Sequence, residues 1–283
     1  MKHLIDAFGQ RALRGMGQHF LRDDATLVEI VAQAGLSSDD VVLEIGPGPG
    51  VLTAALLRTG ARVVAIEKDR RAVAFLKTTF TERMGGLADR LEVIEGDALR
   101  EDLVAPLRAW GPGPFVAAGN LPYNVGTGIL LRVLEVTPAF RRWVFMFQHE
   151  VAERLVATPG SKKYGSLSLA VRARCEATIV RTIGPDAFDP PPKVDSSVVR
   201  FDVRSSSLVP SALEGAFETV ARAAFIQRRK TLRNCLRAGL PPMTAEALDG
   251  LFAATGIAPG ARAEALTFED FLRLAEAWTS LSA

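Results

Sequence analysis

The sequence predicts an α/β domain built on a doubly wound parallel sheet, followed by a small all-helical domain. Segments typical of helices and strands alternate from residue 24 to about residue 150. Several of the strand-like segments are apolar throughout, which is typical of strands in a parallel sheet that is covered on both faces. The pattern changes beyond Lys193, and strand signals are absent after Ser211. In this fold class, ligands bind outside the carboxyl ends of the strands.

Local patterns predict each element in turn. The first helix, Ala25–Ala34, has apolar residues three or four positions apart, a possible cap at Asp23 or Asp24, and a stop at Gly35. Short apolar runs then predict strands, and the segments between them predict helices. The further predicted strands are Val41–Ile45, Arg62–Ile66, Leu91–Ile94, Phe115–Ala118, Trp143–Phe147 and the β-like Val194–Val203; the further predicted helices are Val51–Arg58, Asp69–Phe80 and Thr127–Val136.

Three regions follow from these patterns. Residues 1–22 are predicted to be a basic N-terminal arm, residues 23–207 the α/β domain, and residues 208–283 the helical domain. The boundary is placed at Ser205–Ser207, a run typical of linkers.

Composition excludes several classes of protein. Of the 283 residues, 48% are hydrophobic, so wholesale disorder is excluded. The longest uncharged stretch, Ala109–Leu131, is too rich in Gly, Pro and Asn for a membrane helix. No secretory signal and no long apolar seam is visible, so we expect a cytoplasmic monomer. The 2 Cys and 3 His are scattered, so we expect no metal site and no disulfide framework.

A glycine-rich turn, Glu44–Gly50 (EIGPGPG), follows the strand Val41–Ile45. Glycines there allow a ligand to approach the backbone closely. Glu67 closes the next strand about 20 residues on, where an acid can accept both ribose hydroxyls. The position of this turn after a strand, with Glu67 at the end of the next one, favours nucleoside binding over a tight turn beside a surface acid. Pro47 and Pro49 lack N–H groups that would bind a pyrophosphate, so a ligand with ribose and adenine but no phosphates, S-adenosylmethionine, fits better. The cofactor-binding residues predicted here are Gly46, Gly48, Gly50, Glu67 and Lys68.

Asp97 follows the third strand in the segment Gly96–Leu99 (GDAL). Its carboxylate is placed to accept a hydrogen bond from the amino group of the cofactor's adenine, with Ala98 beside it. A capping or turn Asp is the common alternative at such a position.

The segment Gly119–Asn124 (GNLPYN) follows the fourth strand and suits methylation of an adenine amino group. That nitrogen is a poor nucleophile because its lone pair is delocalised into the ring. Acceptors aimed at its two protons, the side-chain oxygen of Asn120 and the carbonyl of Leu121, would favour a more nucleophilic, pyramidal nitrogen. Pro122 would fix the backbone and Tyr123 would stack on the base, so the enzyme supplies alignment and electrostatics. A simple strand-end turn is the alternative.

Basic residues are concentrated where acids are absent. No acid lies between Thr219 and Ala245. If this segment is one helix, four of its arginines share a stripe, which is typical of a surface that follows RNA phosphates; a solvated face is the alternative. The predicted RNA-binding residues are Arg222, Arg228, Arg229, Lys230, Arg233 and Arg237, with Arg11 and Arg14 in the N-terminal arm; Lys2, Arg22 and the pair Lys162–Lys163 are further basic candidates.

Taken together, the motifs resemble the KsgA/RsmA family of ribosomal RNA adenine dimethyltransferases. They occur in the family's order, from about residue 10 to the C-terminus. The motifs are GQHFL (Gly17–Leu21), EIGPGPG, Glu67, GDAL, GNLPYN and FDPPPKVDS (Phe188–Ser196).

The resemblance implies a Rossmann-like, seven-stranded S-adenosylmethionine-dependent methyltransferase sheet with a helical, RNA-binding C-terminal domain. It implies transfer of two methyl groups to each of two adjacent adenosines in the 3′-terminal hairpin loop of 16S rRNA, within the 30S small ribosomal subunit or its precursor. It also implies that Gln18, His19 and Leu21 line the cofactor pocket, that Asn120 contributes to it, and that Tyr123 and Phe188 sandwich the target base. His19 stands where the family usually has Asn.

Two alternatives stay open. One is an Erm-type enzyme that methylates 23S rRNA, and the other is a non-catalytic RNA-binding or ribosome assembly factor. Methylation of DNA adenine is less favoured, because nothing in the chain resembles a dedicated domain for reading duplex DNA.

Overall fold

The computed structural model describes residues 2–9 and 17–282. The chain divides into two compact units: Met1–Ala152 with Glu176–Val203, and Glu153–Cys175 with Arg204–Ala283. The first is the α/β unit and the second is the helical unit. Among the described residues, no helix has both the length and the apolar character needed to cross a bilayer.

Seven strands of the described chain form one sheet in the order β4-β3-β2-β5-β6-β9-β7. The first five strands in this order (β4, β3, β2, β5 and β6) are parallel to one another, and β9 pairs antiparallel with β6. This confirms the seven strands that the resemblance implied. The strands are β2 (Val41–Ile45), β3 (Arg62–Glu67), β4 (Leu91–Glu95), β5 (Phe115–Asn120), β6 (Phe140–Gln148), β7 (Cys175–Ile183) and β9 (Ser196–Val203).

Two short strands form a separate antiparallel pair. They are β1 (Phe20–Leu21) and β8 (Phe188–Asp189), and Leu21 is paired with Phe188. This pair joins the segment before the first predicted helix to the proline-rich segment near residue 190.

Helices of the α/β unit bury apolar side chains, such as Leu27, Ile30 and Leu56, in the core of that unit. Asp23 caps α2 by accepting from the backbone N–H of Thr26, and Gly35 ends that helix in the left-handed conformation. The helices are α1 (Lys2–Phe8), α2 (Asp24–Ala34), α3 (Val51–Leu57), α4 (Arg70–Phe75), α5 (Thr81–Met84), α6 (Ala105–Arg108) and α7 (Gly126–Glu135); α8 (His149–Leu155) contains the division between the two units.

The helical unit is built around its own apolar core. Phe217, Leu236, Phe252 and Phe271 are buried there. Its helices are α9 (Ser166–Arg174), α10 (Glu214–Ala224), α11 (Leu232–Gly239), α12 (Ala245–Thr255) and α13 (Phe268–Ser282).

The domain boundaries differ from the predicted ones at both ends. Residues 153–175, which we assigned to the α/β domain, group with the helical unit because Tyr164 and Leu169 are buried in its core. Within the predicted N-terminal arm, Lys2–Phe8 forms α1, whose Leu4 and Phe8 are buried in the core of the α/β unit, and Phe20–Leu21 forms β1. Apolar burial therefore ties both segments to cores that local sequence patterns did not indicate.

The predicted continuous helix over the basic segment is wrong. Helix α10 ends at Ala224, and α11 begins only at Leu232, with Thr231 capping it by accepting from the backbone N–H of Asn234. Arg222 therefore lies on one helix and Arg233 on the next, so the single arginine stripe does not form.

Candidate active site

A cavity in the α/β unit lies at the carboxyl ends of β2, β3, β4 and β5. It encloses about 1180 Å³ of space, part of which is open to solvent. Its position is the one expected for a ligand site in this class of sheet. Among the described residues of the lining are three carboxyl groups, from Glu44, Glu67 and Asp97, and one ammonium group, from Lys68.

The glycine-rich turn wraps one side of the cavity. Gly46 has φ +70° and Gly48 has φ +54°, a left-handed conformation that favours glycine. The carboxylate of Glu67 accepts from the backbone N–H of Gly48 at 2.9 Å and from that of Asp69 at 2.7 Å. Burial raises the pKa of Glu67, and these hydrogen bonds oppose that rise.

Glu44 is the most deeply buried acid of the cavity wall. Glu44 is 1% exposed, and its carboxyl group interacts with Thr53. Its Oε2 atom has no hydrogen-bond partner in the described structure. Burial raises the pKa of Glu44 to about 8, and the nearby Glu67 adds to the rise. Glu44 is therefore predominantly neutral at pH 7 in the absence of a cationic partner.

Asp97 lies at the rim of the cavity with Lys68. The Lys68 Nζ atom lies 2.8 Å from Asp97 Oδ2, and Asp97 Oδ1 accepts from the backbone N–H of Leu99 at 3.1 Å. These contacts, the Lys68 bond first, lower the pKa of Asp97. The acid is thus ionised and already engaged on both oxygens.

Asn120 and Tyr123 are oriented by residues from other segments. Asn120 Nδ2 donates to the backbone carbonyl of His19 at 2.8 Å, which leaves Oδ1 as the acceptor of that amide. The Tyr123 hydroxyl is hydrogen-bonded to Ser196 Oγ, and its ring is stacked on the imidazole of His19. The side chain of Leu121 is buried, so what Leu121 offers to a ligand is its backbone carbonyl.

Gln18 lines the cavity from the segment that precedes β1. Its Nε2 atom donates to Asp69 Oδ2 at 3.1 Å, and Asp69 is itself held by Arg71. The Arg71 and Gln18 bonds lower the pKa of Asp69.

The cavity brings together most of the residues that the sequence predicted for it. Those in its lining are Gln18, His19, Leu21, Gly46, Gly48, Glu67, Lys68, Asp97, Ala98, Asn120, Leu121, Pro122 and Tyr123.

Gly50 and Phe188 lie outside that lining. A Cβ atom on Gly50 would lie 2.6 Å from the ring of Phe80, so this glycine is required by packing. Phe188 is 4% exposed and packs in the core of the α/β unit, because its strand β8 is paired with β1. The Phe188 ring therefore does not line the cavity in this structure, as a sandwich of a base between Tyr123 and Phe188 would require.

The predicted RNA-binding residues are not equivalent. Arg222, Arg229 and Lys230 are exposed. Arg228 donates to the backbone carbonyl of Lys162, and Arg233 forms an ion pair with Asp249 of α12. Arg237 donates to Asn234 at 3.4 Å, and the basic candidate Arg22 pairs with Asp6 and Asp189. Arg11 and Arg14 lie outside the described residues.

Sequence reasoning missed three residues that shape the cavity. Glu44 belongs to the glycine-rich motif, and its position as an acid inside an otherwise apolar strand could have identified it as a site residue. Asp69 and Ser196 hold Gln18 and Tyr123 from distant segments, and no local pattern indicates these contacts.

Comparison with known proteins gives one consistent result. The family model of ribosomal RNA adenine dimethylases matches residues 9–280. The chain is 46% identical over 279 residues to Ribosomal RNA small subunit methyltransferase A of Rhodospirillum rubrum, covering 98% of this chain and 91% of that protein. It is 43% identical over 282 residues to the protein of the same name from Phenylobacterium zucineum, covering 98% and 92%.

Two solved structures are also similar over nearly the whole chain. A dimethyladenosine transferase from Plasmodium falciparum gives a TM-score of 0.75 at 28% identity, covering 93% of this chain and 98% of that one. The 23S rRNA methyltransferase ErmE gives 0.67 at 26% identity, covering 91% and 98%. The chain therefore belongs to the ribosomal RNA adenine dimethylase family, whose members use S-adenosylmethionine as methyl donor.

Proposed function

We propose that this chain transfers methyl groups from S-adenosylmethionine to the N6 atoms of two adjacent adenosines in the 3′-terminal hairpin loop of 16S rRNA. The chain is an rRNA adenine dimethyltransferase, and small-subunit RNA is the substrate named for its 38–46% identical relatives. We further propose that it acts in the cytoplasm as a monomer on the 30S subunit or a precursor, and contributes to small-subunit maturation.

The cavity's donor set fits this cofactor. Even with Glu44 neutral, the carboxylates of Glu67 and Asp97 outnumber the one ammonium group among the described lining residues, that of Lys68; this disfavours a phosphate and favours a cationic ligand with free hydroxyls. The buried Oε2 atom of Glu44 has no partner in the described structure, and a cationic ligand group would supply one.

Residues of four segments would hold the cofactor. We assign the ribose hydroxyls to Glu67, the adenine amino group to Asp97, and the methionine end to the side of the cavity formed by Gln18, His19 and Glu44. When bound, the cofactor supplies an electrophilic methyl group, so the protein needs no strong base. Gly46 and Gly48 would allow close approach of the backbone.

Asn120 carries the proposal for the reacting base. Because its Nδ2 atom is engaged by the His19 carbonyl, its Oδ1 atom remains to accept one N–H of the target amino group. The carbonyl of Leu121 would accept the other, and Tyr123 would stack on the ring. A stacked base is worth about 1–3 kcal/mol, which helps to offset its removal from the RNA stack.

The proposed function is tested by incubating the protein with labelled cofactor and unmethylated 30S subunits and mapping the modified nucleosides. We expect dimethyladenosine at two adjacent positions near the 3′ end of 16S rRNA. We expect Asn120→Ala to reduce kcat by at least about 100-fold, the usual scale for removing a positioned transition-state contact. Full activity in this variant would contradict the proposed role of the amide.

The same assay with 50S subunits distinguishes the proposed function from the Erm-type alternative. The similarity to ErmE is the reason to test this alternative. Methylation of 23S rRNA alone would replace the proposed substrate. Binding to 30S precursors without methyl transfer would favour the assembly-factor alternative.

A further inference from the structure

His19 contacts two other motifs of the site. Its backbone carbonyl accepts from Asn120 Nδ2 at 2.8 Å. Its ring Nδ1 atom lies 2.7 Å from the carbonyl oxygen of Pro190. Its ring also stacks on Tyr123, with centroids 5.1 Å apart and an interplanar angle of 26°. His19 thus joins the GQHFL motif to the GNLPYN motif and to the proline-rich segment near residue 190.

The hydrogen bond to Pro190 defines the imidazole's orientation. A carbonyl oxygen can only accept, so Nδ1 carries the hydrogen and donates it. The ring is then held along one edge by Pro190 and on one face by Tyr123. An asparagine at this position would keep the backbone carbonyl for Asn120 but would offer no aromatic face to Tyr123.

Tyr123 is held at two points. Its hydroxyl is bonded to Ser196 Oγ, and one ring face packs on His19. An adenine that stacks on Tyr123 therefore has to use the opposite ring face. Phe188 is buried in the core, so its ring does not provide a second wall for the base in this structure.

We propose that His19 is a positioning residue for methyl transfer, which holds the Tyr123 ring and the Asn120 amide so that the target adenine stacks on the Tyr123 face opposite the imidazole. The resulting order is imidazole, phenol ring, adenine. The inference rests on the proposed function, because it concerns the base that this site receives.

The stack itself is tested by NMR, independently of activity. The chain has 2 Tyr, so protein with 13C-labelled tyrosine gives two sets of ring signals, and Tyr164→Phe assigns them. Tyr164 is buried in the helical unit, so its replacement is the matched control for activity. We expect His19→Ala to shift the Tyr123 ring signals, because the ring current of the imidazole is lost, and to leave those of Tyr164 unchanged.

The catalytic role is tested by kinetics on unmethylated 30S subunits at saturating cofactor. We expect His19→Ala and His19→Asn to lower kcat about three- to tenfold, the range for loss of an aromatic pair. KM for the subunit should stay within about twofold, because exposed basic groups elsewhere bind the RNA. His19→Phe, which keeps a ring face, should recover most of kcat.

Three results would bear against these proposals. Tyr123 signals that are the same in wild type and His19→Ala would overturn the stack. A kcat for His19→Asn equal to that of wild type would overturn the positioning role, and a higher kcat would show in addition that the imidazole obstructs the base. Wild-type protein that methylated no 30S RNA would overturn the proposed function instead, while the tyrosine spectra would still decide whether His19 holds Tyr123.

Discussion

The carboxylate of Glu67 accepts a hydrogen bond from the backbone N–H of Gly48 at 2.9 Å, which joins the acid that ends β3 to the glycine-rich turn after β2. Its other oxygen accepts from the backbone N–H of Asp69 at 2.7 Å. An ionised carboxylate has about four lone-pair sites, so both oxygens still have capacity for ligand hydroxyls. Glu67 therefore shapes the turn and is placed to bind the ribose at the same time.

Glu67→Gln should weaken cofactor binding about 10- to 100-fold, the scale for hydrogen bonds to a charged group. The glutamine amide has only one accepting oxygen. Its NH₂ group would take the place of the other carboxylate oxygen, so a hydrogen bond that this oxygen accepts would be lost. Titration calorimetry with S-adenosylhomocysteine measures the affinity. The matched control is Glu95→Gln, an exposed acid at the end of the neighbouring strand β4, which should change affinity less than about twofold. Equal affinities in the two variants would exclude Glu67 as the ribose acceptor.

Glu44 should make the cofactor-free protein less stable as pH rises. Its pKa is 4.5 for an unperturbed carboxyl and about 8 in the fold, so the folded state binds more protons between these values. The contribution of a protonated Glu44 is fully present below pH 4.5 and is lost as pH rises toward 8, a change of about 5 kcal/mol.

Glu44→Gln preserves the shape and removes the titration. It should melt close to wild type at pH 5 and about 10 °C above it at pH 8.5. Thermal unfolding across this pH range, without cofactor, makes the comparison. If the melting temperatures of wild type and Glu44→Gln change equally with pH, Glu44 is ionised in the folded protein over this range.

The sequence predicts the central strands well, because β2, β3 and β5 are short, mostly apolar runs that are almost entirely buried. In an α/β chain such runs are typical of buried parallel strands. It did not predict β7 (Cys175–Ile183), because this strand is partly exposed and contains charged residues. The break between α10 and α11 was also missed, since no Gly or Pro lies between Phe225 and Thr231.

The site was predictable to the extent that the fold determines it. Glu67, Asp97 and Asn120 follow successive parallel strands, so they had to meet at one edge of the sheet. The stack of His19 on Tyr123 and the burial of Phe188 depend on the pairing of β1 with β8. These contacts join segments far apart in sequence, and periodicity carries no information about them.

Phe188 should contribute to stability more than to catalysis. Because its ring is buried in the core of the α/β unit, Phe188→Ala should destabilise the protein by about 3–5 kcal/mol. Phe188→Leu, which preserves most of the volume, should cost about 1.5 kcal/mol or less and keep kcat within about threefold. Urea unfolding and methylation kinetics on the same preparations measure both. A stable Phe188→Leu enzyme with a large loss of kcat would support the base sandwich that the family resemblance implied.

Arg229 and Arg233 should differ in their contribution to RNA binding. Arg229 is exposed, whereas the Arg233 guanidinium is paired with Asp249 and would have to leave it to reach a phosphate. Arg229→Gln should reduce the slope of log affinity against log salt by about 0.7–0.9, the value for one lost phosphate contact. The double variant Arg233→Gln/Asp249→Asn, which removes the pair without changing net charge, should alter that slope less. Filter binding to 30S subunits across a salt series measures both slopes, and an equal loss in the two variants would show that Arg233 leaves Asp249 to contact the RNA.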